Sequence, residues 1–253
     1  MTDSTHAEVT YGSYLHVDAL LQLQQARSVP EHPDELLFIV VHQASELWFK
    51  VMLHELKILT THLGNADTLA SLTTMRRLNA LMRIVASQLS ALDTLPPQRF
   101  VEFRGYLGSA SGGQSHQFRA IEAASGLRDE HFMHVLQEHG PLPPVVVDVL
   151  QRPPLQELFL GLLEKHGATL EQVYEAADQT AHFLLAESLI EYEQGFGLWR
   201  FLHVQLVERI IGPLTGGTGG TMGAKYLQRT MQQRFFPRLW EGRAKVFGAT
   251  RSA

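Results

Sequence analysis

Two histidines, one arginine and two glycine-rich stretches are the parts of this chain whose residue types and spacing could do chemistry. His203 stands in WRFLHVQLVERII, where Trp199, Leu202, Leu206, Val207, Ile210 and Ile211 recur at helical spacing and His203 lies beside their apolar face. His42 stands in LFIVVHQASELWFK, with Phe38 one turn before it and Phe49 near the same line. A histidine so placed is most often a hydrogen-bonded core residue, and it becomes a ligand when its lone pair is left for a metal. Arg104 sits among Phe100, Phe103 and Tyr106. An arginine among aromatics usually stacks on a ring at the surface, but a bidentate pair also lets it clamp a carboxylate in an apolar pocket.

The two loops add backbone chemistry. Gly216, Gly217, Gly219 and Gly220, interrupted by Thr218, allow the close backbone approach needed to hold a polar ligand head. This is no dinucleotide fingerprint, since Met222 takes the third glycine's place and no strand precedes it. The second small-residue run spans Gly108 to Gly113, before a helix that resumes near Ser115.

Helices must position these groups. A short amphipathic helix is expected around Tyr11 to Leu23, ended by Pro30 and Pro33, and Asp34 reads as the N-cap of a helix running to about Leu63. The first half of that helix is apolar nearly all round, which predicts a buried central helix. A further helix is expected over residues 70 to 93, a long one from about Ala181 to Ile211 with Gly195 and Gly197 as bend points, and a last one from Ala224 to Arg234 before a trailing tail. His131, His134 and His139 lie among acidic residues and read as a solvated segment. No stretch alternates with period two, so the fold class is all-α, a multi-helix bundle over residues 1–253 as one domain.

Composition narrows the function. The chain has 253 residues, no cysteine and a net charge of -5, which excludes thiolate metal sites and gives no electrostatic reason to expect nucleic acid or an anionic membrane. No cationic leader and no uninterrupted apolar stretch long enough to span a bilayer are evident, so the chain reads as cytoplasmic. HExxH, GxSxG, a P-loop and a Glu-x-x-His pair are all missing. Two histidines facing each other across a bundle would suit a planar haem, one ligating iron and the other on the open face.

LFIVVHQASELWFK, FRGYLGSASGGQSHQFRAIE and LWRFLHVQLVERIIGPLTGGTGG together resemble the tryptophan 2,3-dioxygenase family of histidine-ligated haem oxygenases, and TYGSYLHVDALL resembles that family's N-terminal segment. The resemblance implies a bundle enclosing a b-type haem, with His203 as the axial iron ligand and Ser111, Gly112 and Trp199 in the haem pocket. It implies His42 as the catalytic distal histidine that accepts from the indole N–H. Phe38 would pack on the indole ring, Arg104 would pair with the substrate carboxylate, and Thr218 would help hold the amino-acid head. Tyr11 and Tyr14 would reach into a neighbouring subunit's site, so residues 1–30 would contact a partner in a homotetramer built as a dimer of dimers. The implied reaction adds dioxygen across the indole C2–C3 bond of L-tryptophan to give N-formylkynurenine.

Some positions depart from the family pattern. Phe100 stands where a tyrosine is usual, Gly113 where SGFQS places a phenylalanine, and Thr221-Met222 where GTGGSSG has two serines, and the middle of the chain is short. Each change touches the pocket wall or its loop. They leave two alternatives: a haem monooxygenase of the same superfamily that inserts one oxygen into tryptophan or a substituted indole amino acid, and a haem sensor without turnover.

Overall fold

The computed structural model describes residues 9–128, 133–134, 141–176, 180–212 and 230–249, and among them every regular element is a helix. The chain opens with two short helices, α1 (Tyr11–Leu15) and α2 (Val17–Leu20), neither of which buries a residue. An extended stretch then leads to α3 (Glu35–Gly64), the first long helix. Asp34 precedes it but makes no side-chain cap, and its carboxylate instead pairs with Arg99 at 3.1 Å. The anchor is Glu35, which accepts from the Arg27 and Ser28 amides at 2.7 and 3.0 Å and from the Ser28 hydroxyl at 2.5 Å. Burial works to raise its pKa, but these hydrogen bonds prevail and hold the carboxyl below its ordinary value.

α4 (Thr68–Ser87) is capped by Asp67, which accepts from the Ala70 amide at 2.9 Å, and it is followed by the single turn of α5 (Leu89–Leu92). The sequence pattern joins these two, but the structure breaks them at Gln88. Ser87 and Ser90 bond back to the carbonyls of Ile84 and Ser87 and compete with the helix there. α6 (Pro97–Arg104) starts on a proline, which fits a first turn because the missing N–H would be unpaired anyway. α7 (His116–Ser125), α8 (Pro144–Leu150), α9 (Leu155–Lys165) and α10 (Leu170–Glu175) are short. α11 (Ala181–Ile211) is the second long helix, and α12 (Pro237–Ala249) is the last.

The core forms where α4 lies between α3 and α11. Met52, Leu56 and Leu59 of α3, Met75, Leu78 and Met82 of α4, and Leu185, Leu189 and Phe196 of α11 are all sealed from water at the three-and-four spacing of one helical face. Gly195 has a different use from the expected bend: a Cβ there would meet Met82 Cγ at 3.0 Å, so glycine lets α4 and α11 approach closely, and α11 is helical throughout.

Two expectations are corrected. The tail from Pro237 does not trail off but forms α12, because Glu193 on α11 collects it. Its carboxylate accepts from the Phe235 and Phe236 amides at 2.6 and 2.8 Å and from Trp240 Nε1 at 2.5 Å. A helix over Ala224 to Arg234 falls mostly outside the described residues. The first half of α3 is also buried on one side only, since Leu36, Val40 and Leu47 are 52%, 43% and 52% exposed. By length and composition α3 is apolar enough to cross a membrane, with His42, Gln43, Glu46 and Lys50 interrupting its apolar run, and its second half is built into the core.

Candidate functional site

The site residues gather at the end of the bundle where α3 begins and α11 ends. Phe38 and His42 are one turn apart on α3 with ring centroids 4.2 Å apart, and Phe38 also meets Phe100 and Phe103 of α6 at 5.6 and 5.7 Å. The proline start of α6 and the buried Phe100 and Phe103 fix its end, which carries Arg104 half-buried beside that aromatic cluster. Tyr106 closes the corner by donating its hydroxyl to the Val29 carbonyl at 2.9 Å.

The backbone next turns through Gly108, whose φ of +57° suits glycine, into a 3₁₀ turn over Gly112–Gln114. Ser111 caps that turn by accepting from the Gly113 amide at 3.3 Å, while Gln114 Oε1 accepts from the Ser111 amide at 3.2 Å. A Cβ at Gly112 would meet nothing within 4 Å, so the turn faces open space. Ser115 then caps α7 through the Phe118 amide at 3.1 Å.

His42 has a defined tautomer. Its Nδ1 lies 2.7 Å from the Phe38 carbonyl, an acceptor only, so Nδ1 carries the proton and Nε2 presents a lone pair. The ring is open to solvent yet sits deep among protein atoms, as a side chain lining a concavity does. Burial lowers its pKa, opposed by the Phe38 carbonyl and the Glu46 carboxylate, which raise it.

His203 sits on the facing helix. Trp199, one turn earlier, stacks on it with ring centroids 5.0 Å apart and planes 8° from parallel. Burial, and then the nearness of His42, push His203 down to about 4, so its imidazole is neutral. His203 is therefore close enough to His42 to feel its charge. Around them Val41, Leu89, Leu92 and Leu206 form a small apolar cluster with Phe38 and Leu202 packed on it.

These residues can hold a planar cofactor. Among the described residues no three His, Asp or Glu side chains converge as a bare metal ion would need. A metal held by the one imidazole of His203 must bring its remaining ligands with it, as the ring of a porphyrin does. The neutral ring, fixed in plane by Trp199 and walled by aliphatic side chains, fits that demand.

Not every expected residue comes together. Phe38, His42, Trp199 and His203 share one space, and Arg104 ends the helix whose Phe100 and Phe103 meet Phe38, while the Ser111–Gly112 turn is largely exposed between α6 and α7. Tyr11 and Tyr14 are 79% and 74% exposed on α1, which buries no residue. Thr218, His131 and His139 lie outside the described residues. A separate cleft of about 250 Å³ between Leu127, Glu157 and Phe235 holds none of the expected residues.

Sequence reasoning passed over a buried charge group beside the site. Glu122 on α7 accepts from Arg200 Nη2 and from Arg119 Nη1, each at 2.7 Å, and both Glu122 and Arg200 are buried. The available signal was Arg200 itself, a charge next to the apolar stripe of α11. Gln117 was missed as well, and nothing in its sequence context marks it: its Nε2 donates to the Glu46 carbonyl and carboxylate at 2.9 and 2.8 Å.

Comparison with known proteins gives one consistent result. A family model described as tryptophan 2,3-dioxygenase matches residues 1–139 and 158–246. The stretch left between those matches contains α8. A protein named tryptophan 2,3-dioxygenase from Kineococcus radiotolerans is 37% identical over 270 residues, which cover 97% of this chain and 94% of that relative. Another, from Anaeromyxobacter sp. (strain K), is 39% identical over 269 residues, 97% of this chain and all of the relative. A third, from Xanthomonas campestris pv. campestris, is 36% identical over 262 residues, 94% of this chain and 88% of the relative.

Proposed function

The chain belongs to the tryptophan 2,3-dioxygenase family, and from that premise we propose that it binds a b-type haem through His203 and adds dioxygen across the indole C2–C3 bond of L-tryptophan, giving N-formylkynurenine. The observation that carries this reading is the pair of neutral imidazoles across one apolar space. One is stacked and ready to ligate, and the other shows a free acceptor. Bound haem would supply the ferrous iron at which dioxygen is held and activated. The chain's own residues position the substrate against it.

His42 Nε2 accepts from the indole N–H, the one polar group on an otherwise apolar ring. Its Nδ1–H bond to the Phe38 carbonyl keeps that lone pair exposed, and the lowered pKa keeps the ring neutral at pH 7. Phe38, backed by Phe100 and Phe103, is the wall on which the indole lies, and these rings exclude water from that side. Arg104, at the end of α6, clamps the carboxylate in bidentate fashion, and Thr218 completes the contact to the amino-acid head. Ser111 and Gly112 would border the haem, in a turn where a Cβ at Gly112 would meet nothing within 4 Å.

The active assembly is a homotetramer, a dimer of dimers, in which Tyr11 and Tyr14 of one copy complete the site of another. Their support is α1 and α2, which bury nothing of their own, and the exposed apolar stripe Leu36, Val40 and Leu47 on α3 beside the site. Residues 1–253 act as one haem-binding domain in a cytoplasmic enzyme.

The test is the mass of the product when ferrous, haem-loaded protein turns over L-tryptophan under labelled dioxygen. Two labelled oxygens in N-formylkynurenine are expected. One labelled oxygen on an intact ring system would replace this reading with a monooxygenase.

A further inference from the structure

α3 and α11 carry the two histidines, yet each packs on α4 and they hardly touch each other's backbones. Two helices resting on a common third can open or close like a book unless something on the far side sets the gap. α7 lies there. The Phe118 ring is 5.6 Å from Phe49 of α3 and 4.8 Å from Trp199 of α11, so a single side chain stands between the helices. Gln117, its neighbour, is bonded to Glu46, one turn past His42. On the other side Glu122 holds Arg200 at 2.7 Å, one turn before His203.

We propose that α7 is the spacer that sets the separation of the two histidines, with Phe118 as its wedge and Gln117 and Glu122 as its locks to α3 and α11; the proposal rests on the haem reading above. The spacing has a chemical purpose. A neutral imidazole is a good ligand for haem iron, and His42 is needed as a hydrogen-bond acceptor for substrate, so it must stay near the open face without reaching the metal. Phe118 acts on Trp199, and Trp199 fixes the plane of His203, so the same wedge governs the proximal ring as well. Phe118, Gln117 and Glu122 act through Trp199, Glu46 and Arg200, and they are positioning residues.

The experiment is the spin state of the ferric, haem-loaded full chain, read by visible absorption and electron paramagnetic resonance. The parent is expected to lack the low-spin signature of two imidazoles. Phe118→Ala should shift part of the haem to that signature, and Phe118→Ala combined with His42→Ala should lose it again, because the second imidazole is then gone. A folded, haem-loaded Phe118→Ala with the parent's spectrum overturns the spacer. Should Phe118→Ala not fold, Gln117→Met carries the test, since it keeps the volume and removes only the bonds to Glu46. The same low-spin shift is expected, smaller, and its absence overturns the spacer equally. A parent protein that takes up no haem overturns the functional reading as well, whereas haem uptake with unchanged variants overturns the spacer alone.

Discussion

The two ends of the bundle are built from the same helices to different standards. At one end the second half of α3, α4 and the first half of α11 bury Leu59, Met75, Leu78 and Leu189 completely. At the other end the same α3 leaves Leu36, Val40 and Leu47 exposed, and α11 leaves Leu198 and Phe201 at 53% and 48%. The second region is as apolar as the first but lacks its cover. It is where Phe38, His42 and His203 lie, so buried packing is concentrated in the closed end and the proposed binding in the open one.

The largest effect that sharpens this contrast is His203→Ala at the open end. It should abolish haem retention on gel filtration while the far-ultraviolet dichroism stays that of the parent. A parallel loss of helicity would show that the open end also holds the fold. Leu59→Ala at the closed end should do the reverse. It opens a cavity among fully buried neighbours and should lower unfolding free energy in urea by about 2–5 kcal/mol, with haem still bound by the folded fraction.

Next in size is Arg104→Ala, which removes a charge-assisted pair worth roughly 1.5–3 kcal/mol. The KM for tryptophan should rise by about 10–100-fold, and an unchanged KM would remove Arg104 from the clamp. Acid should also act on the open end. Burial holds His203 near 4 against an ordinary value of 6.5, so below 6.5 the unfolded chain binds the extra proton and the folded chain does not. Stability is then full above pH 6.5 and falls as pH drops toward 4. The melting temperature of haem-free protein should follow that window, and His203→Gln should flatten it. The smallest effect is expected from Leu47→Gln, within roughly ±0.5 kcal/mol on unfolding of the single chain but with a shift to smaller assemblies in sedimentation. An unchanged assembly would mean that the α3 stripe is covered by something else.

Much of this arrangement could be read from residue spacing. The lengths of α3 and α11 follow from their apolar periodicity, and the turn before α7 follows from its glycines and its Ser115 cap. The exposed stripe of α3 could not be read, because an all-round apolar helix reports what it avoids and not what covers it. α12 was hidden for a related reason. PRLWEGRAKVFGA has a weak apolar face with Gly242 in its middle, and it becomes a helix through Glu193, which receives the amides just before it, and through Gly242, where a Cβ would meet Leu170 at 3.1 Å. The spacer residues of α7 were equally silent. Gln117 and Phe118 acquire a role only from what stands on either side of them.

The Glu193 carboxylate leaves a trace in how this chain can drift. It ties the backbone at Phe235 and Phe236 to α11, and the outgoing end is fixed where α11 stops at Ile211. Two distant parts of the chain are thus tied to one helix. A change at Glu193 would therefore be felt both in α11 and at the start of α12, so those two helices cannot drift independently.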